Sequence, residues 1–179
     1  MRSPQKPINP VIMMIAANIN IVDASTPTRI TYGRIIYLLT ICRAIIKRAN
    51  QIEAIGFGAF ENSKLSNIAF DPNANILTFG YRAFFGAKNI KSFTVPASVV
   101  SIDYYAFANC TALEKVVFAD GNKLKGIYEG AFYGCKNLCD ITIPDSIVEI
   151  SDFAFYGCMA LERIPVSENS GVLGIYDYA

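Results

Sequence analysis

The sequence predicts a β-rich solenoid of about five 23–25-residue repeats plus a partial sixth. Three observations predict it. The pair Ala-Phe recurs at Ala59-Phe60, Ala83-Phe84, Ala106-Phe107, Ala131-Phe132 and Ala154-Phe155, with phenylalanine intervals of 24, 23, 25 and 23. Apolar residues recur five and eight residues before that phenylalanine, and again five or six residues after it, in each unit. The composition, 53% hydrophobic with a mean hydropathy of +0.32, suits coils that are apolar on both inner faces.

Residues 1–51 do not fit the repeat and form a separate head. Val11 to Ala17, following Arg2 and Lys6, is like a signal peptide, but Pro7, Pro10, the short run and the interrupting Asn18 and Asn20 weaken that reading. The stretch Ile35 to Ile46 contains Arg43 and is too short to span a bilayer. The head is therefore expected to be an N-terminal cap or a degenerate first repeat that covers the open edge near Ile52. Its first 50 residues carry seven basic groups against Asp23, whereas residues 51–179 carry nine basic and fourteen acidic groups. The basic charges of the head are scattered rather than in a run, so they read as a charged flank. The mildly acidic repeat region argues against a nucleic-acid surface.

Residues 52–179 form the repeat domain, which breaks off in its sixth unit at Tyr178-Ala179, in the phase of Tyr105-Ala106. A chain stopping there without a cap is expected to be a fragment or truncated product. Each unit opens on an apolar residue (Ile52, Ile76, Val99, Leu124, Ile147, Val172), with a second three residues later (Ile55, Phe79, Ile102, Ile127, Ile150, Ile175). The Ala-Phe pair follows. Its alanine is expected to be small because the coil turns tightly, and its phenylalanines to stack into a buried spine. Next come Leu65, Ile90, Leu113, Leu138 or Leu161, then Ile68, Phe93, Val116, Ile141 or Ile164, and finally Phe70, Val95, Phe118, Ile143 or Val166. That closing apolar-x-apolar segment has period two and β-branched character, so it predicts a short strand. Turn residues such as Pro96, Asp120-Gly121-Asn122 and Pro144 end it, and strands of successive units should stack into a parallel sheet.

Units such as Ile127-x-x-x-Ala131-Phe132-x-x-Cys135-x-x-Leu138-x-x-Ile141-x-Ile143-Pro144-x-Ser146 resemble the BspA-like (Treponema pallidum type) leucine-rich repeats. The resemblance covers residues 52–179 and implies a right-handed leucine-rich-repeat solenoid with a parallel sheet on its concave face. It also implies a cell-surface or extracellular antigen or adhesin that binds host or matrix proteins, attached to a membrane only through an anchor outside this sequence. Leucine-rich repeats also serve as intracellular scaffolds, and a cytoplasmic protein–protein scaffold or a non-functional gene fragment stays open as the alternative.

The chemistry-bearing residues point away from catalysis. The chain has no His, which removes His-based zinc sites and His acid–base catalysis. No nucleophile–base pair or phosphate loop stands out, so no enzyme activity, cofactor, metal or small-molecule substrate is expected. Cys110, Cys135 and Cys158 share one column, occupied by Ser63 and Ala87 in the first two units, and read as small buried hydrophobes at an inward turn. With Cys42 and Cys139 the total is odd, so no complete disulfide framework exists. Asp71, Asp120 and Asp145 read as turn formers rather than calcium ligands. Asn109-Cys110-Thr111 is a formal glycosylation sequon.

The candidate protein-binding face is the outward side of the strands, where alternate residues point away from the core. It comprises Asn67 and Ala69, Ser92 and Thr94, Lys115 and Val117, Asp140 and Thr142, and Arg163 and Pro165. This face has mixed charge and lacks aromatic anchors, which suits a weak, multivalent contact or an ordinary solvated sheet.

Overall fold

The computed structural model describes residues 19–20, 43–46, 54–70, 75–165, 171 and 174–179. The expectations placed on Val11 to Ala17, Cys42, Ile52, Asp71, Val166 and Val172 lie outside the described residues.

The described chain is a solenoid of parallel strands with no helix. The predicted closing strands are present as β4 (Asn67–Phe70), β6 (Ser92–Val95), β8 (Lys115–Phe118) and the shorter β10 (Asp140–Ile141). β6, β8 and β10 pair in parallel, with Ser92 opposite Lys115 and Lys115 opposite Asp140. β4 sits in a sheet with two strands of the head, β1 (Ile19–Asn20) and β2 (Arg43–Ile46). β2 pairs in parallel with β4 from Arg43 opposite Asn67 to Ile46 opposite Phe70, an offset of one repeat, and β1 pairs antiparallel to β2.

A second sheet lies where the sequence reading placed only an apolar column. It is built of two-residue strands: β3 (Ala54–Ile55), β5 (Thr78–Phe79), β7 (Ser101–Ile102), β9 (Gly126–Ile127), β11 (Glu149–Ile150) and β12 (Gly174–Ile175). All six pair in parallel and in strict register. Each therefore places one side chain of the column inward.

The Ala-Phe segment forms a third ladder between coils. The Phe60 N–H donates to the Ala83 carbonyl at 2.7 Å, Phe84 to Ala106 at 2.7 Å, Phe107 to Ala131 at 2.8 Å and Phe132 to Ala154 at 2.8 Å. Within a unit the alanine N–H closes a tight turn onto the residue three before it, as in Ala83 to Gly80 at 3.0 Å and Ala131 to Tyr128 at 3.0 Å. Only alternate amides reach the next coil, so the residues two before and two after the phenylalanine take left-handed backbone. Gly58, Arg82, Tyr105, Gly130, Phe153 and Tyr178 have φ between 54° and 61° at the first of these positions. Asn62, Gly86, Asn109, Gly134 and Gly157 have φ between 53° and 76° at the second, where only Asn and Gly occur, the residues that tolerate this region best.

The core lies between these ladders. Phe60, Phe84, Phe107, Phe132 and Phe155 stack face to face along the axis, with centroids 4.8–5.4 Å apart and rings within 10° of parallel. Phe79 and Phe93 pack edge-on against the stack. The predicted inward columns are buried throughout the central coils. The exceptions lie at Phe70, Phe118, Leu161 and Ile164, which are only partly covered, and at Ile175 on the outermost strand, which is exposed.

Candidate functional site

All ten side chains of the predicted sheet face are exposed. β4, β6 and β8 present Asn67 and Ala69, Ser92 and Thr94, and Lys115 and Val117, because successive side chains of a strand alternate between faces. Lys115 Nζ lies 2.6 Å from Asp140 Oδ2 across neighbouring strands, with both side chains about half exposed. Such an exposed pair contributes little to stability. The regular sheet stops at Ile141, so Thr142 lies just beyond it, and Arg163 and Pro165 occupy a segment without strand structure.

The cysteine column is inward and reduced. Cys110, Cys135 and Cys158 are buried free thiols. Each S–H donates to the spine phenylalanine carbonyl of the preceding coil: Cys110 to Phe84 at 3.1 Å, Cys135 to Phe107 at 3.1 Å and Cys158 to Phe132 at 3.2 Å. Burial pushes the Cys135 thiol well up and the Cys158 thiol up to about 12. Neither is a thiolate nucleophile near neutral pH. Ser63, first in this column, is buried and its hydroxyl has no hydrogen-bond partner. Cys139 is exposed.

The remaining chemistry is sparse. Among the described residues no group of three or more His, Cys, Asp or Glu is arranged to hold a metal ion. No described helix is long and apolar enough to cross a membrane. Asp103 sits partly buried beside Ser101 and Thr78, and burial raises its carboxyl above the usual range while hydrogen bonds from those hydroxyls pull the other way. Asn109 of the sequon is half-buried, with its amide oxygen against Gly134 of the next coil.

A second surface was not anticipated. An unbroken chain of outer rings runs along the Ala-Phe turns, parallel to the buried spine. Phe57 stacks on Tyr81 at 5.4 Å, and Tyr81 meets Tyr105 at 6.4 Å. Tyr105 meets Tyr133 at 6.4 Å, and Tyr133 stacks on Tyr156 at 5.4 Å. Phe153 then links Tyr156 to Tyr178 at 5.8 and 5.4 Å. Phe57, Tyr81, Tyr133, Tyr156 and Tyr178 are exposed. The Tyr105 hydroxyl donates to Glu129 Oε1 at 2.8 Å, which raises its pKa. The signal was present in the sequence as aromatic residues around Ala-Phe, but it is spread over several columns, so no single column announces it.

With this geometry in hand, comparison with known proteins is informative. Residues 42–124 and 113–179 match the BspA type leucine-rich repeat region, in six copies. No curated protein matches the chain. Among solved structures it is similar to the pneumococcal vaccine antigen PcpA, at 28% identity and a TM-score of 0.60 over 66% of this chain. It is similar also to a leucine-rich cell surface protein of Faecalibacterium prausnitzii, at 26% identity and a TM-score of 0.50 over 66% of this chain. The T. pallidum leucine-rich repeat protein shares the fold, at 20% identity and a TM-score of 0.58 over 70% of this chain and 72% of its own length. The chain spans 29% of PcpA and 37% of the F. prausnitzii protein.

Proposed function

Because the chain belongs to the BspA-type leucine-rich repeat family, we propose that it is a non-enzymatic protein-binding module of a cell-surface antigen or adhesin. The observation that carries this reading is the exposed face of the strands, with Ser92, Lys115 and Asp140 in register across β6, β8 and β10 and Asn67 and Arg163 exposed on the flanking coils. A flat array repeated at each strand suits many weak contacts with an extended protein, such as a matrix or host-surface component. Two similar structures, the vaccine antigen PcpA and the F. prausnitzii cell surface protein, favour the surface setting.

The direct test is binding of the full chain to immobilised matrix proteins, with and without Thr94→Ala/Lys115→Ala. Saturable binding that weakens in the variant is expected. Absence of binding, together with no labelling by membrane-impermeant reagents on intact cells, would sink the reading. A second reading, an intracellular scaffold on the same repeat, is favoured by the free thiols of Cys110, Cys135, Cys139 and Cys158. Protection of the native protein from surface labelling would select it.

A further inference from the structure

We propose that the Ala-Phe turn face is a second interaction surface, and that it takes a cationic, arginine-bearing polypeptide segment. This surface does not use the sheet face and stands whether or not that face has a partner.

Backbone strain supplies the first argument. Arg82, Tyr105, Phe153 and Tyr178 hold φ between 54° and 57°, a region that costs an L-residue about 1–2 kcal/mol. Gly58 and Gly130 occupy the same position of the coil without that cost. Glycine thus satisfies the fold there, yet the other units carry three rings and a guanidinium in the unfavourable conformation. Held strain of this kind gathers at functional sites.

Charge supplies the second. Across the Ala-Phe turns (56–62, 80–86, 103–109, 128–134, 151–157 and 176–179) stand Glu61, Asp103, Glu129, Asp152 and Asp177, with Arg82 as the one base. The other eight basic residues after residue 50 fall outside these turns, Lys64, Lys88 and Lys136 by two residues. The face is therefore both aromatic and acidic, complementary to a cation with a flat, weakly hydrated group.

The third argument is a contact within the chain. The Arg82 guanidinium carbon lies 3.8 Å from the Phe85 ring centroid, while Nη2 sits 2.6 Å from Glu61 Oε1. One guanidinium is thus already held on this face between a ring and a carboxylate. Elsewhere on the face Glu129 accepts from the Tyr105 hydroxyl at 2.8 Å, Asp152 Oδ1 accepts from the Asp177 N–H at 3.0 Å, and Asp152 and Asp177 precede Phe153 and Tyr178 in the chain, with no arginine in these turns. Arginine suits these places better than lysine, because its planar group stacks on rings while donating to a carboxylate.

The test uses the full chain and fluorescein-labelled nona-arginine and nona-lysine peptides, followed by anisotropy at about 150 mM ionic strength, where distant exposed charges are screened. Nona-arginine should bind more tightly than nona-lysine. Phe153→Gly/Tyr156→Ser should weaken nona-arginine binding about tenfold, the loss expected for two cation–π contacts. Circular dichroism should show that variant folded, since glycine is native to its column. Thr94→Ala/Lys115→Ala should leave peptide binding unchanged. No binding, equal affinity for the two peptides, or unchanged affinity in Phe153→Gly/Tyr156→Ser overturns the proposal. Concentration-dependent self-association of the wild type that this variant abolishes also overturns it, by giving the face to a second copy of the chain.

Discussion

Asn109 Oδ1 lies against the Gly134 backbone of the next coil, so close that a Cβ on Gly134 would stand 2.6 Å from it. The Asn109 N–H meanwhile donates to the Tyr133 carbonyl at 2.7 Å. Asn62 makes the same pair of contacts with Gly86 and the Phe85 carbonyl. Asparagine in one coil thus goes with glycine in the next, because both are left-handed and the asparagine side chain fills the space a β-carbon would need.

Gly134→Ala should therefore lower stability by about 2 kcal/mol or more, combining the left-handed cost with the clash. Gly121 gives the control. It has φ 69° and open space around it, so Gly121→Ala should lose only the conformational part, about 1 kcal/mol. Urea midpoints of the two variants measure the difference. Adding Asn109→Gly to Gly134→Ala should recover the clash component. Equal losses for the two alanines would show that the coil shifts to make room.

The spine makes the largest single-residue prediction. Phe107 stacks on Phe84 at 4.8 Å and on Phe132 at 5.4 Å, and meets Phe93 edge-on at 4.6 Å. Its removal opens a void in the middle of a continuous stack, where collapse of one coil is resisted by two neighbours. Phe107→Ala should cost about 3–5 kcal/mol. Phe57→Ala, at the exposed end of the outer ring chain, should cost under about 1 kcal/mol. Chemical unfolding of both checks the contrast.

These features differ in how far the sequence displays them. The columns of Phe107 and Val116 recur in every unit, eight or nine residues apart, because packing leaves each of them one solution, large and apolar. Their burial and the strand at Lys115–Phe118 follow from that pattern. The second sheet escapes such reading because Ser101–Ile102 is too short to display a period of two. The outer ring chain escapes because Tyr81, Tyr105 and Tyr133 reach the same surface from three different columns. Contact between them depends on coil stacking, which one unit's sequence does not contain.

Ser63 heads a column whose later members, beyond Ala87, form a ladder of thiol hydrogen bonds. Cys110 and Cys135 donate to carbonyls of the preceding coil, whereas the buried Ser63 hydroxyl has no partner. An unpaired buried hydroxyl costs about 1–3 kcal/mol. Ser63→Ala should thus leave stability unchanged or raise it by about 1 kcal/mol. Cys135→Ala should lower it by about 1–2 kcal/mol, since it removes one of two hydrogen bonds to the Phe107 carbonyl, which keeps the one from the Cys110 N–H, and leaves a small cavity. Opposite signs for these two substitutions at one column are the outcome that thermal unfolding should show.

The same column predicts how stability depends on pH. Burial raises the Cys158 thiol from an ordinary value of 9.0 to about 12. Below pH 9 the thiol is protonated in both folded and unfolded chains, and its contribution is fully present. Between pH 9 and 12 the unfolded chain loses the proton while the folded chain keeps it, so the unfolded state binds fewer protons and stability falls as pH rises. Tyrosines and lysines titrate in the same window, so the test is a difference. The drop in urea midpoint between about pH 8 and about pH 10.5 should be smaller in Cys158→Ala than in the wild type. Alkylation gives an independent reading. Iodoacetamide should modify Cys139 in the folded chain, while Cys110, Cys135 and Cys158 should react only on unfolding. An equal midpoint drop in variant and wild type, with Cys158 readily alkylated in the folded state, would mean that this coil opens to solvent.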